Sequence, residues 1–383
     1  MRRFAAVIFV LSLFFSSAWA AEKAVQRSAT VRSGPGVYFP VVTKIDQGEK
    51  LSVIEERSHW TKVKVAAGQE GWVSSRVFAR PEKPSGYGKA LSDIGLQGAS
   101  TTVVTMAARG MQAPSGSGTG ALDPLLAEFL QKAAFRPEGF GNFLGQLKPP
   151  SCVELLDMPG VPRQPEGDPR LDEIEHRLGL AAATHILSAG RLISDHPVDD
   201  YVNKVGMAVA MYSSRYDLSW RFAVLDSDEP RALGLPGGFV IITSGLLRAL
   251  SDEAGLAGVL AHEVAHIVLG HGSAELAQAI TGGPAASGKF DLAIEKTVSI
   301  AHTARPRSEE IAADKLGSVL CACAGYDPLA LQRAYSGLGN FEPVGADSPS
   351  PAEHSATVGG VWKGRKSAGA VTLADRFTKI VHP

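Results

Sequence analysis

The spacing of hydrophobic residues changes along the chain. Between residues 24 and 80, short β-branched segments such as KLSVIEE and WTKVKVA alternate with turns rich in Gly, Ser and Pro. Several strands in so short a stretch predict a small all-β barrel. From about residue 168 onward, apolar residues recur at helical spacing, and RFAVLDSDEPRALGLPGGFVIIT interrupts them with two strands around a loop. The pattern predicts a multidomain chain, in which a small barrel precedes a mainly α (α+β) domain with a small sheet.

Residues 81–165 separate the two predicted domains. Their first half is rich in Gly, Ser, Pro and Ala, as in APSGSGTGA, which is typical of a flexible connector. Two segments, STTVVTMAARGMQ and LDPLLAEFLQKAAF, are amphipathic enough to form short helices. We therefore expect a linker with short helices at 81–165, the helical domain at 166–345 and a C-terminal tail at 346–383.

Composition and the N-terminus indicate where the protein works. The 383 residues are 45% hydrophobic and 20% charged, and the net charge of −1 gives no global attraction to nucleic acid or to an anionic membrane. Residues 1–20 combine Arg2 and Arg3, the apolar run FAAVIFVLSLFF and the small-residue end SSAWA. This predicts a cleaved signal peptide, with an uncleaved anchor as the alternative. The signal peptide predicts a periplasmic or secreted protein. Because no second apolar run of about 20 residues follows, we expect no stable membrane span. The net charge leads us to expect no nucleic-acid partner.

Three cysteines remain for an oxidising compartment: Cys152, Cys321 and Cys323. Cys321 and Cys323 lie two apart on a predicted helix and point in different directions, which disfavours a bond between them. Cys152 could pair with either of them. The alternative is that all three are buried as small apolar residues.

The stretch LAGVLAHEVAHIVLGHG, residues 256–272, places titratable groups inside an apolar helix. His262 and His266 are four residues apart and share one helix face, so both imidazoles can bind one ion. Glu263 lies about 100° round the helix, where it can reach a water on that ion without binding the ion itself. This is the H-E-x-x-H zinc pattern in a helical context. A catalytic zinc needs a third protein ligand and an open position, so the third ligand must come from elsewhere.

A second helix, in RPRSEEIAADKLGSVLCACAGYDP, offers that ligand. Glu310 and Asp314 are four residues apart and face the same way, so Glu310 can bind the metal. Asp314 can accept the second ring N–H of a zinc-bound histidine and fix its tautomer. The alternative is a solvated acidic helix face, to which the neighbouring Glu309 is assigned.

Four segments together resemble a known family. PRALGLPGGFVIITSGLL, LAGVLAHEVAHIVLGHG, RSEEIAADKLG and AGYDP are similar, in order and spacing, to the HtpX/BepA/CAAX-prenyl-protease family of gluzincin peptidases. The resemblance covers roughly residues 168–345. It implies a metallopeptidase domain that binds one zinc ion.

The resemblance also implies a role for each matching residue. It makes His262, His266 and Glu310 the zinc ligands, Glu263 the general base and Asp314 a partner behind the ligands. It further implies a sheet whose edge strand holds the substrate backbone.

That edge strand is assigned to LPGGFVIIT, where an extended peptide could add itself as another strand. Gly237 and Gly238 would permit close backbone approach, and with Phe239 they form the predicted substrate-binding set.

The chain departs from the family pattern at two places. The family has Asn before Ala-x-Ala-x-Pro-Gly-Gly, whereas this chain has Arg231. The family's later T-H-P-x-x-x-x-R element aligns with DSPSPAEH, which puts Ser348 at the His position and His354 at the Arg position. His354 could stabilise the oxyanion as a catalytic residue, or it could be an exposed loop histidine.

The N-terminal segment has its own resemblance. VRSGPGVYFPVVTKIDQGEKLSVIEERSHWTKVKVAAGQEGWVSSRVF is similar to bacterial SH3-like domains, which implies binding of cell-wall peptides or other envelope proteins. Tyr38, Trp60 and Trp72 could form a recognition groove, or they could fill a small core.

The sequence thus favours an exported zinc endopeptidase that acts on misfolded or envelope proteins, with Glu263 as general base. Two alternatives remain. One is a cell-wall peptide hydrolase targeted by the SH3-like domain, and the other is a chaperone-like binding protein with a latched zinc site.

Overall fold

The computed structural model describes residues 22–37, 39–57, 59–65, 67–79, 133–165, 169–188, 191–193, 196–272, 289–365 and 370–382. The predicted signal peptide, Tyr38 and almost all of the two helices predicted within the linker lie outside these residues. The chain divides into two compact units. The first comprises residues 1–35 and 39–80, and the second comprises residues 36–38 and 81–383.

The first unit is all-β, which confirms the predicted fold class. Its strands are β1 (Glu22–Ala24), β2 (Ala29–Arg32), β3 (Val41–Ile45), β4 (Lys50–Arg57), β5 (Trp60–Lys64) and β6 (Glu70–Ser74), followed by a 3₁₀ turn at Ser75–Phe78. They pair antiparallel in the order β1-β4-β5-β6-β2-β3.

Aliphatic residues, most of them β-branched, form the core of the unit, with Val31, Leu51 and Val63 fully buried. Trp60 and Trp72 are only 8% and 7% exposed, so most of each ring packs inside the unit.

The second unit is mainly helical. Its helices are α1 (Phe140–Leu144), α2 (Cys152–Leu156), α3 (Pro169–Ser188), α4 (His196–Ala210), α5 (Ser244–Ala249), α6 (Glu253–Leu269), α7 (Lys289–His302), α8 (Arg307–Cys323), α9 (Ala330–Leu338), α10 (Pro351–Val361) and α11 (Ala374–Val381). The core of the unit is built around α6, which is buried along almost its whole length and packs on α8. None of the helices in the described part of the chain is long and apolar enough to span a bilayer.

A small mixed sheet packs against α6. Its strands are β7 (Arg191–Leu192), β8 (Arg221–Asp226), β9 (Ala232–Leu235) and β10 (Phe239–Thr243), in the order β7-β8-β10-β9. β10 runs parallel to β8 and antiparallel to β9, with Val240 opposite Gly234.

This order corrects the predicted edge strand. Phe239–Thr243 is an interior strand, and β9 is the edge. The physical reason is that FVIIT is apolar because both faces of the sheet are covered, and face burial does not report whether a strand has hydrogen-bonded neighbours on one side or on both. Gly237 and Gly238, with φ of 74° and 92°, form the tight turn between β9 and β10.

The predicted substrate-binding residues therefore lie away from the sheet edge. A Cβ on Gly237 would be 2.5 Å from the Cα of His176, and one on Gly238 would be 3.4 Å from the Cβ of Leu218. Phe239 is fully buried, with its ring centroid 5.0 Å from that of His176. Gly237 and Gly238 thus fit the turn against α3 and against the segment just before β8.

Residues 346–383, expected to be a tail, contain α10 and α11. Val358, Trp362 and Phe377 from this region are buried in the same core as α6 and α8. These few apolar anchors lack the long periodicity by which the larger helices are recognised in a sequence.

The cysteine alternatives are resolved by a disulfide between Cys152 and Cys323, which joins α2 to the end of α8. Cys321 is free and buried. The two α8 cysteines face different directions, as their spacing predicts.

The start of α6 is held by a buried ion pair. Asp252 caps the helix by accepting the Gly255 N–H at 2.7 Å. Glu253 is fully buried and accepts hydrogen bonds from the hydroxyls of Tyr201 and Tyr326, each at 2.7 Å. Arg376 of α11 completes the network through two of its nitrogens, which ties the C-terminal helix to α6.

Candidate metal and active site

Helix α6 presents two imidazoles to one point. The Nε2 atoms of His262 and His266 are 3.0 Å apart, and both side chains are almost completely buried. One helical turn separates the two residues, so this convergence follows from local geometry.

Helix α8 brings Glu310 to the same point. Its carboxylate oxygens lie 3.5 Å from the Nε2 of His262 and 3.8 Å from that of His266. The two helices approach closely at Gly317, where a Cβ would lie 2.9 Å from the Cα of His262. A side chain at this position would separate the helices that supply the three groups.

A fourth group, Glu342, was not predicted. Its Oε2 is 3.0 Å from the Nε2 of His262 and 3.7 Å from that of His266. One donor atom from each of His262, His266, Glu310 and Glu342 lies within 4.8 Å of the other three. Glu342 follows α9 in a segment without periodicity, so no pattern in the sequence indicates its position.

Asp314 lies behind His262, as predicted for a residue that orients a ligand. Its Oδ1 is 3.1 Å from the Nδ1 of His262 and accepts the hydroxyl proton of Tyr335 at 2.9 Å. With Nδ1–H held by this carboxylate, the Nε2 of His262 is directed at Glu310 and Glu342.

His266 is supported on its other side by His271, whose Nδ1 is 2.8 Å from the Nδ1 of His266. Helical spacing assigns His271 to a different face, but α6 ends before it. Gly270, with φ of 69°, turns the chain back, so that the His271 N–H donates to the His266 carbonyl oxygen at 3.1 Å. Burial, and then the Arg305 guanidinium, lower the pKa of His266 well below its usual value and that of His271 to about 3.

The cluster fits a cation. Two ring nitrogens and two carboxylates converge in a buried place, and a neutral imidazole that donates through one nitrogen is an acceptor at the other. Burial, and then the charge of Glu342, raise the pKa of Glu310 to about 8. In the metal-free cluster Glu310 therefore holds a proton near neutral pH, which a divalent cation would displace. Imidazole and carboxylate ligands suit zinc.

Glu263 lies beside this cluster and does not join it. It is fully buried, and neither carboxylate oxygen has a hydrogen-bond partner among the described residues. Burial raises its pKa well above the usual value. Strand β9 passes next to it, since a Cβ on Gly234 would be 3.1 Å from Glu263 Oε2. An unpaired buried carboxylate beside a cation site suits a group that takes up a proton.

His354 lies in helix α10 and is 3% exposed, so the exposed-loop alternative is wrong. Its Nδ1 is 2.7 Å from Asp314 Oδ2, and its ring stacks on Tyr335 with centroids 4.2 Å apart. His354 therefore contacts Asp314, which in turn contacts the ligand His262.

The other two residues that depart from the family pattern, Arg231 and Ser348, make local polar contacts. The Arg231 side chain pairs with Glu229 at 2.7 Å. The Ser348 hydroxyl accepts the Gly345 N–H at 2.8 Å and shapes the loop after Glu342.

Comparison with known proteins agrees with this arrangement. Residues 198–357 match Peptidase family M48, and residues 27–78 match the bacterial SH3 domain. The chain is 36% identical over 108 residues to the mitochondrial metalloendopeptidase OMA1 of Schizosaccharomyces pombe, covering 27% of this chain and 32% of that protein. It is 26% identical over 177 residues to the beta-barrel assembly-enhancing protease of Escherichia coli K12, covering 41% and 36%.

A third relative is a putative N-acetylmuramoyl-L-alanine amidase, YrvJ, of Bacillus subtilis, which is 32% identical over 92 residues, or 23% of this chain and 18% of that protein. The chain thus spans about a third or less of the length of these curated relatives. The SH3 match lies almost entirely within the first unit of the structure, and the M48 match lies within the second. The chain contains a peptidase family M48 domain at residues 198–357, preceded by a bacterial SH3 domain at residues 27–78.

Proposed function

We propose that this protein is an exported zinc-dependent endopeptidase that hydrolyses peptide bonds of misfolded or envelope proteins. The observation that supports this most is the buried cluster of His262, His266 and Glu310 with the unpaired Glu263 carboxylate beside it. The M48 match and the metalloendopeptidase and protease relatives support the same activity.

Different residues would bind the metal and transfer the proton. Zinc bound by His262, His266 and Glu310 would supply a Lewis acid that acidifies water and polarises a carbonyl. Glu263 takes the proton of the attacking water and delivers it to the leaving amine.

The supporting residues act through position. Asp314 holds His262 in one tautomer, and Tyr335 and His354 hold Asp314. We therefore assign His354 a positioning role and leave stabilisation of the oxyanion to the metal and backbone donors.

Strand β9 is the better candidate for binding the substrate backbone, in place of Gly237, Gly238 and Phe239. Its outward backbone groups include the Ala232 N–H and the Gly234 carbonyl, both of which have partners beyond the sheet. An extended peptide that added to this edge would pass next to Glu263.

Export is supported by two independent features. Residues 1–20 have the composition of a signal peptide, and the Cys152–Cys323 disulfide is typical of proteins from oxidising compartments. The SH3 domain at residues 27–78 would then act as a localiser toward wall peptides or an envelope protein.

A cell-wall peptide hydrolase is the second candidate, and the similarity to an amidase-named relative favours it. Purified sacculi and casein, offered to the same enzyme, distinguish the two substrates. Release of wall peptides without casein cleavage would replace the first proposal with the second.

The first test pairs zinc content with casein cleavage, for wild type and Glu263→Gln. One zinc in both and cleavage by wild type alone is the expected result. A protein without zinc would contradict the proposal. One zinc without cleavage by either would favour the chaperone-like alternative, which predicts binding of unfolded protein by both.

A further inference from the structure

The segment that follows α9 occupies the edge of the sheet. The carbonyl oxygen of Phe341 accepts the Ala232 N–H at 2.9 Å, which is a backbone bond on the outer side of β9. An extended substrate that joined the sheet would need this same N–H.

The Phe341 side chain anchors the segment. It is 1% exposed, stacks on Tyr335 with ring centroids 4.9 Å apart, and meets the ring of His262 edge-on at 5.8 Å. These contacts place the next residue, Glu342, with its Oε2 3.0 Å from the Nε2 of His262.

Glu342 has a second partner available. Its Oε1 is 3.8 Å from the Nε of Arg305, and Arg305 also donates to the Gly234 carbonyl oxygen at 3.4 Å. A carboxylate released from the cluster would therefore still have a cation beside it.

A fourth protein ligand conflicts with catalysis. Catalytic zinc sites keep one position for water, whereas sites with four protein ligands are closed. The described conformation has four protein donors within reach of one ion.

We propose that Glu342 is the fourth protein ligand of the metal and that residues 340–343 form a latch. The latch covers the edge of β9 and the water position together, and it leaves both when substrate enters. The gating part of this proposal rests on the peptidase function proposed above, whereas the ligand assignment does not.

The latch can move without unfolding the helices on either side. Gly339, with φ of 77°, ends α9, and Ser350 caps α10 by accepting the Glu353 N–H at 3.3 Å. The loop between them is anchored mainly by Phe341 and Glu342.

The ligand assignment is tested with Glu342→Gln, and Glu295→Gln at an exposed position of α7 serves as the matched control. The Co²⁺-substituted proteins are compared by visible absorption, and Zn²⁺ affinity is measured by competition with a chelator. We expect a changed cobalt spectrum and an affinity loss of at least ~10-fold in Glu342→Gln alone. An unchanged spectrum with unchanged affinity would overturn the assignment.

Casein cleavage then tests the gate. We expect Glu342→Gln at saturating zinc to cleave faster than wild type, and the double variant with Glu263→Gln to be inactive. Cleavage by Glu342→Gln that is equal to or slower than that of wild type would overturn the latch. A changed cobalt spectrum with no cleavage by any variant would retain the ligand and refute the peptidase function.

A cross-link provides a second test that leaves the cluster unchanged. A Cβ at Gly345 would lie 2.8 Å from the Cβ of Ala304, so a small loop shift brings cysteines at the two positions to the ~3.5–4.5 Å of a disulfide. The oxidised Ala304→Cys/Gly345→Cys protein should bind zinc but cleave poorly, and mild reduction should restore cleavage. Wild type treated with the same reductant controls for the native disulfide, and full activity of the oxidised variant would refute the latch.

Discussion

The close approach of α6 and α8 at Gly317 predicts that a single methyl group will damage both stability and metal binding. In Gly317→Ala, the new Cβ would lie 2.9 Å from the backbone N and Cα of His262, whereas ordinary contacts begin at 3.4 Å. The helices must therefore separate locally by about 0.5 Å (3.4 minus 2.9), because both contacting atoms belong to backbone. Overpacking of this kind costs ~1–3 kcal/mol of unfolding free energy.

The same displacement moves Glu310 relative to His262, since the two lie on the separated helices. We expect zinc affinity to fall by at least ~10-fold, by comparison with other perturbations of ligand geometry. The measurements are urea unfolding of the metal-free protein and chelator competition for zinc.

Gly337→Ala in α9 is the matched control. Gly337 is exposed, and nothing lies within 4 Å of the added Cβ. Its replacement should leave zinc affinity unchanged and stabilise the protein by up to ~1 kcal/mol through helix propensity. If Gly317→Ala matched wild type in stability and in zinc affinity, the account of how α8 positions Glu310 would be refuted.

Three further predictions follow from individual contacts. The pKa of Glu310 is about 8 in the metal-free cluster, so protons compete with zinc below that pH. Zinc affinity should therefore be maximal above pH 8 and fall by up to ~10-fold for each pH unit below it. Competition titrations that show no change in zinc affinity between pH 6 and 8 would contradict this. Arg376→Met should lower the unfolding free energy by ~3–5 kcal/mol, because Glu253 would remain buried without its cation, and a loss below ~1 kcal/mol in urea unfolding would refute that role. Gly234→Ala should cleave casein poorly, since its Cβ would lie 2.9 Å from the backbone oxygen of Glu263 and 3.1 Å from its Oε2. Cleavage equal to that of wild type would show that β9 is more distant from the reaction than proposed.

The sequence alone determined those features that depend on local periodicity. Alternating apolar residues and turn-forming residues predict the all-β unit, and this fold class is confirmed. The four-residue spacing of His262 and His266 places both imidazoles on one face of any α-helix, whatever the helix packs against. The spacing of Glu310 and Asp314 works in the same way on α8.

Only the tertiary structure decided which distant segments meet. Glu342 reaches His262 across 80 positions because Phe341 is buried against Tyr335 and bonded to β9, and nothing near it in sequence reports those contacts. Likewise, the sequence offered Cys152 two possible partners, and helix packing selected Cys323.

Tertiary packing also determined which strand lies at the edge of the sheet. FVIIT and ALGL are both apolar strands, and which of them has a free side depends on the neighbours that the fold supplies. Periodicity reports the direction in which a side chain points within its own element, because that direction repeats with a fixed angle. What lies opposite that side chain is set by long-range packing, which leaves no period in the sequence.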